Sequence, residues 1–293
     1  MKWFQRIAWL TLALTVGVIL WGSVVRATGS GAGCANDWPA CRGALVPQAP
    51  SGATLIEFAH RLTSGLSLAA VLLLAVWARG LWPAGHRVRR ASALALVFVI
   101  LEALVGAGLV LLSLVGDNAT VMRAIFMAGH LINTYLLLAS LALTAWWARR
   151  PEQEGAPARP STALVVTLAV LLLLSIAGAL TALGDTLFPA GNLREGLTQD
   201  FLPTAHFLIR LRVIHPLLAL VASVFVFVAM VPQVSRPTTP WSRRLAAAAI
   251  TLFFVQAAIG GLNLLMGTPL GLQVLHLALA DGVWLAVVMC AAV

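Results

Sequence analysis

Ile56-Glu57-Phe58-Ala59-His60-Arg61-Leu62 sets a carboxylate, an imidazole and a guanidinium within five residues, at the mouth of a long apolar run. Only 10% of the 293 residues are charged, so this crowding needs a reason. The run behind it extends over roughly 56–79, enough for one helix to cross a hydrocarbon layer. Outward from it, similar runs lie near 7–27, 91–114, 123–147, 162–184, 208–231, 243–266 and 271–292. The chain is 60% hydrophobic, against roughly 45–50% for an ordinary soluble domain. These runs predict an all-α membrane protein with eight transmembrane helices.

The net charge of +9 comes from 18 Arg and one Lys. No soluble segment is long enough to offer nucleic acid a basic face, so nucleic acid is not an expected partner. The charge instead reports topology. Eight spans place both termini on one side. The termini and even-numbered loops carry twelve cations: Lys2, Arg6, Arg79, Arg87, Arg89, Arg90, Arg149, Arg150, Arg159, Arg236, Arg243 and Arg244. The other side has seven: Arg26, Arg42, Arg61, Arg123, Arg194, Arg210 and Arg212. By the positive-inside rule both termini are cytoplasmic, which suits a multi-pass protein of the cell inner (plasma) membrane surrounded by lipid. The first run is too long for a cleaved signal core and is read as a retained span.

The chain contains a repeat. A shift of 155 aligns Gly29 with Gly184 and His60 with His215; a shift of 154 aligns Leu101-Glu102-Ala103-Leu104-Val105-Gly106 with Val255-Gln256-Ala257-Ala258-Ile259-Gly260. A shift of 146 aligns His130 with His276. The expected architecture is two pseudo-symmetric four-helix bundles, 1–150 and 151–293, joined by the linker Pro151-Glu152-Gln153-Glu154-Gly155-Ala156-Pro157. Because four is even, both copies have the same orientation, about an axis along the membrane normal.

Of six histidines, His86 and His206 fall in loops and read as solvated. His60, His130, His215 and His276 each lie one or two turns inside the outer end of spans two, four, six and eight. One such histidine is explained by an interhelical hydrogen bond. Four at matched depth, two per repeat, fit a cofactor better, because imidazole is a common axial ligand of haem iron and a four-helix bundle can hold a flat macrocycle. Haem propionates need cations, and Arg61, Arg123, Arg210 and Arg212 lie at the same level. The competing reading makes them interfacial anchors.

The two copies differ. Glu57 precedes His60 by three residues, where the second copy has Arg212 before His215. A carboxylate there can handle protons; otherwise it is a first-turn acid favoured by the helix dipole. The asymmetry places chemistry in the first half and a structural or electron-relay cofactor in the second. Glu102 reads as polar glue or part of a proton path, and Asn133 and Asp281 as partners of the histidines or ordinary interhelical donors. Cys34 and Cys41 bracket a short outer loop, as a structural disulfide or as a redox-active pair. Cys290 reads as an apolar filler.

Glu-x-x-His-Arg at the start of span two, single histidines in spans four, six and eight, and the Cys-x6-Cys loop together resemble the haem A synthase family. The segment Phe201-Leu202-Pro203-Thr204-Ala205-His206-Phe207-Leu208-Ile209-Arg210-Leu211-Arg212, running into His215-Pro216, is similar to that family too. The resemblance implies oxidation of a methyl group of haem O to a formyl group, giving haem A for terminal oxidases. It implies that His60 and His130 hold the substrate haem, that His215 and His276 hold haem b, that Glu57 is needed to complete the oxidation, and that the cysteine pair serves catalysis or haem handover. Haem O synthase and an electron donor are the implied partners, and a homo-oligomer is compatible with the family. Two other readings compete. One is a dihaem b-type electron carrier or quinone oxidoreductase; the other is a non-enzymatic transporter or assembly protein whose histidines line a proton or metal path.

Overall fold

Apolar side chains set the spans, but polar caps set where the helices begin. The computed structural model describes residues 1–149, 160–235 and 239–293. Arg150, Arg159, Arg236 and the linker 151–157 lie outside the described residues. Within them are α1 (Lys2–Ala27), α2 (Gly52–Leu81), α3 (Arg87–Leu111), α4 (Val121–Trp147), α5 (Thr162–Leu187), α6 (Leu193–Asp200), α7 (Phe207–Arg210), α8 (Ile214–Ser235), α9 (Pro240–Leu265) and α10 (Leu270–Ala291). Eight segments of the described chain are long and apolar enough to cross a membrane, with α7 and α8 together forming the sixth, Phe207–Ser235. No β-strand occurs among the described residues, only an isolated bridge between Cys41 and Ala44.

Ser51, Thr120, Ser161 and Thr239 each accept a backbone N–H from the third residue onward, which satisfies one of the orphan donors of a helix start. Pro240 occupies the first turn of α9, where its missing N–H costs nothing. These caps lie outside the apolar runs, so α2, α3 and α9 start about a turn before hydropathy alone places them. One consequence corrects the sequence reading. Glu57 is in the second turn of α2, and the first turn holds no acid, so stabilisation by the helix dipole does not explain it.

His86 and His206 are also caps rather than merely solvated groups. Each is half-buried and accepts a backbone N–H through Nδ1, from Val88 and Leu208 respectively. His206 lies between the rings of Phe188 and Phe207. The short α6 was not expected from the sequence, since its eight residues are too few and too polar to register as a hydrophobic run.

Neighbouring spans pack in sequence, and α4 and α10 meet at the centre of the molecule. Their most apolar windows are 44% and 39% buried, against 22–28% for the other spans, whose outer faces are left to lipid. At this junction Tyr135 stacks on Trp284 with ring centroids 4.8 Å apart, and the Trp284 indole donates to the Tyr135 carbonyl at 2.9 Å. Arg26, which entered the sequence reading only as one cation among seven, is a second tie between helices distant in sequence. From α1 it donates to the Ala182 carbonyl (2.6 Å) and Thr186 hydroxyl (2.7 Å) of α5, and to the Gln273 side-chain oxygen of α10 (3.0 Å). A guanidinium held this way inside a helix bundle has its donors satisfied by protein instead of water.

Candidate functional site

The four intramembrane histidines share one local environment, built by glycine. A Cβ added at Gly22 on α1 would lie 3.0 Å from His60 Cε1, and one at Gly178 on α5 would lie 2.8 Å from His215 Cε1. On α9, a Cβ at Gly260 would lie 2.7 Å from His276 Cε1; on α3, one at Gly106 would lie 4.0 Å from His130 Cε1. His60, His215 and His276 therefore rest on the bare backbone of the preceding span, while His130 stands at ordinary contact distance from Gly106. Glycine is common in membrane helices, so nothing in the sequence set Gly22 and Gly178 apart. Gly106 and Gly260 did lie in the aligned segments.

The second pair is the better defined. His215 on α8 and His276 on α10 face each other with ring centroids 6.3 Å apart and planes at 86°. A single metal atom bonded to one nitrogen of each ring at about 2 Å requires ring centres roughly 6 Å apart. His215 Nδ1 lies 3.2 Å from the Leu174 carbonyl, and His276 Nδ1 lies 2.9 Å from the Gln256 carbonyl. A carbonyl can only accept, so it fixes the proton on Nδ1 and makes Nε2 the acceptor nitrogen of each ring. The Gln256 amide nitrogen lies 3.3 Å from His276 Nε2.

In the first pair, His60 lies on α2 and His130 on α4. His60 Nδ1 and His130 Nδ1 are both buried without a hydrogen-bond partner, and buried polar atoms of this kind call for one. His130 Nδ1 lies 3.3 Å from Glu102 Oε1 on α3. Asn133 Nδ2 donates to Glu102 Oε2 at 2.5 Å, and the Thr134 hydroxyl donates to Oε1. Asn133 and Glu102 are thus joined to the histidine site. Asp281 is not: it is 1% exposed, and neither of its carboxylate oxygens has a hydrogen-bond partner.

Among the described residues no cluster of three or more His, Cys, Asp or Glu could hold a bare metal ion. Two imidazoles per site supply only two ligands. That fits an iron whose remaining positions are filled by a macrocycle. The spacing of His215 and His276 therefore fits such a group.

Glu57 is 3% exposed and fully engaged. Its Oε2 accepts the Cys34 backbone N–H at 2.8 Å, and its Oε1 accepts from Arg61 Nη2 at 2.5 Å and Nε at 3.1 Å. Arg61 Nη1 also donates to the carbonyls of Asp37 (2.7 Å) and Ala40 (2.6 Å). Cys34 and Cys41 are joined as a disulfide. Thr54 and Arg42 both donate to the Gly33 carbonyl, and a Cβ at Gly33 would meet the Ala53 carbonyl oxygen at 2.4 Å. The cysteine loop thus packs directly on the helix that carries His60, and Glu57 is the contact between them.

The remaining arginines also have protein partners. Arg123 donates to the carbonyls of Gly116 (2.6 Å) and Asn118 (2.7 Å). Arg212 pairs with Asp185 at 2.8 Å and Asp200 at 3.6 Å, and donates to the Gly184 and Phe188 carbonyls. Burial raises the Asp200 carboxyl above its ordinary value, against the pull of Arg212. Arg210 is exposed and donates to the Pro203 carbonyl.

Fold and site together define a multi-pass helical membrane protein with two pairs of intramembrane imidazoles. The sequence pattern of the cytochrome oxidase assembly protein family (COX15-CtaA) matches residues 5–288, and the chain belongs to that family. It is 46% identical over 289 residues to a protein named protoheme IX farnesyltransferase from Thermus thermophilus, covering 97% of this chain and 47% of that protein. It is 27% identical over 285 residues to a heme A synthase from Staphylococcus saprophyticus, covering 94% and 89%. A heme A synthase from Alkalihalophilus pseudofirmus is 43% identical over 96 residues, 32% of this chain and 31% of that protein. The chain thus spans about half the length of the Thermus relatives it matches.

Proposed function

We propose that the chain is a haem A synthase, an oxidoreductase that converts a methyl group of haem O into the formyl group of haem A. The observation that carries this is the recurring cradle: four intramembrane imidazoles, three of them seated closely on a glycine of the span before. The relative named heme A synthase, covered along 89% of its length, points the same way. The farnesyltransferase name belongs to a protein about twice as long, and this chain accounts for 47% of it. That arrangement supports haem O synthase, the prenylating enzyme, as a working partner.

In this reading the chain is two pseudo-symmetric four-helix halves, 1–150 and 151–293, with both termini cytoplasmic in the plasma membrane. The packing of α4 on α10 along the centre supports the halves, and the excess of arginine at one end supports the orientation. His60 and His130 hold the substrate haem; His215 and His276 hold haem b. When bound, the haems supply the redox chemistry, and the protein orients them and excludes side reactions.

Glu57 takes protons released as the methyl carbon is oxidised. Its contacts to Cys34 and Arg61 fix the carboxylate beside His60 and place the cysteine loop over that site. Arg61, Arg123, Arg210 and Arg212 lie at the outer ends of the same spans, and they neutralise haem propionates by exchanging some of their carbonyl contacts. Surrounding lipid and an electron donor complete the partners.

The test is extraction of the haems after expression with and without a haem O supply. Formyl haem appearing only with the supply supports the reading. Unchanged haem at both sites would make the chain a dihaem relay instead, and a colourless protein would leave the histidines to a transport path.

A further inference from the structure

The two copies of the cradle differ in what touches the last histidine of each. In the second copy the partner of His276 Nδ1 is neutral, the backbone carbonyl of Gln256 at 2.9 Å. In the first copy the residue aligned with Gln256 is Glu102, and its side-chain Oε1 lies 3.3 Å from His130 Nδ1. His215 Nδ1 likewise faces a neutral carbonyl, that of Leu174, while neither His60 Nδ1 nor His130 Nδ1 makes a hydrogen bond, so the approach of Glu102 to His130 is one of ion-pair distance alone. Among the described residues, His130 is thus the one intramembrane histidine of the four with a carboxylate at Nδ1.

The carboxylate is placed by a dedicated set of donors. Asn133 Nδ2 donates to Oε2 at 2.5 Å and also to the Phe98 carbonyl at 2.8 Å, which pins the amide between two acceptors on α3. The Thr134 hydroxyl, with one proton, lies within hydrogen-bond reach of both Oε1 and the His130 carbonyl. Both donors lie on α4 within four residues of His130. The aligned positions in the second copy are Leu279 and Ala280, which have no side-chain hydrogen-bonding groups. The sequence thus supplies carboxylate and donors together in one copy and omits them together in the other.

We propose that Glu102, its Oε1 at 3.3 Å from His130 Nδ1, is a positioning residue that closes onto that nitrogen when the site is filled and makes His130 the most electron-rich of the four imidazoles. The first site is then electronically distinct from the second. The proposal rests on the reading of both pairs as haem sites. Physically, an anionic partner at Nδ1 raises the basicity of the ligand nitrogen across the ring, and a carbonyl does so less. A stronger donor favours the ferric over the ferrous state of a bound iron, so the first haem has the lower midpoint. Removing such an outer partner typically costs roughly 10–100-fold in metal affinity or activity. A tenfold change in a one-electron equilibrium is about 59 mV.

The test is a spectroelectrochemical titration of the purified full-length protein carrying both haems, as the parent chain and as Glu102→Gln and Glu102→Asp. Glu102→Gln keeps the shape and puts into the first copy the residue type the second copy already has. The expected result is a rise of about 59 mV or more in the midpoint of the first haem, with the second haem unmoved as an internal control. Glu102→Asp recovers part of the shift. Loss of the first haem alone from Glu102→Gln, with the second retained as evidence of folding, also supports a hold on His130. An unchanged midpoint with both haems bound overturns the proposal and leaves the haem reading intact. A parent protein lacking any bis-imidazole haem spectrum overturns that reading, and this proposal with it.

Discussion

Replacing Gly260 by alanine adds one methyl group at the tightest of the four cradles. The new Cβ would lie 2.7 Å from His276 Cε1, 3.1 Å from Nδ1 and 3.4 Å from Nε2. Carbon atoms in contact prefer about 3.5–4.0 Å, so the ring must retreat by roughly 1 Å. That retreat strains the 2.9 Å contact of Nδ1 with the Gln256 carbonyl and turns the ring away from His215. Overpacking costs about 1–3 kcal/mol, and a weakened hydrogen bond adds about 1 kcal/mol. Together these correspond to a loss of roughly 30-fold to 1000-fold in affinity at the second site. Gly106→Ala is the control, because its Cβ would stand 4.0 Å from His130 Cε1, an ordinary contact. In a helix interior that change alone favours the folded state by about 0.5–1 kcal/mol. The assay is the haem-to-protein ratio of each purified variant. Gly260→Ala should lose one haem of two and Gly106→Ala none; equal retention by both would refute the cradle.

Three further outcomes follow from the same contacts. Glu57→Gln should keep both haems but stop formyl haem from forming, and haem A at the parent rate, measured on extracted haem, would remove Glu57 from the mechanism. Gly33→Ala drives a Cβ against the Ala53 carbonyl, where backbone cannot yield cheaply, so the cysteine loop should lift from α2. Reductant and thiol-labelling reagent should then reach Cys34 and Cys41 faster than in the parent; an unchanged labelling rate would contradict the docking. Arg26→Gln removes three donated hydrogen bonds between α1 and the pair α5 and α10, and should cost about 2–4 kcal/mol. This is read as a lower thermal midpoint in detergent, and an unshifted midpoint would show that these helices are held elsewhere.

The spans and the histidines were legible because each leaves a strong local signal. Eight apolar runs of this length have to be buried in lipid or in one another, and an imidazole within a span is rare enough to count. The repeat made the histidines pairs before any contact was known. What stayed hidden depends on approach between distant segments. Nothing in Cys34 or Glu57 as letters says that the backbone N–H of one meets the carboxylate of the other. Arg26 and Arg123 looked alike as outer cations, yet one ties helices together and the other closes its own loop. Glu102 was visible as a buried acid aligned with Gln256, but its role needed the positions of Asn133 and Thr134. The caps at His86 and His206 and the short α6 are decided by backbone geometry that hydropathy does not encode.

The central claim is a division of labour between two haem sites, one for substrate and one for haem b. It is tested most directly by mass-resolved extraction of the haems from His60→Ala and His215→Ala, expressed with a haem O supply. His60→Ala should retain haem b and lose haem O and haem A, while His215→Ala should lose haem b. If both variants lose the same haem, or neither changes the kinds of haem recovered, the two pairs do not divide the work in this way.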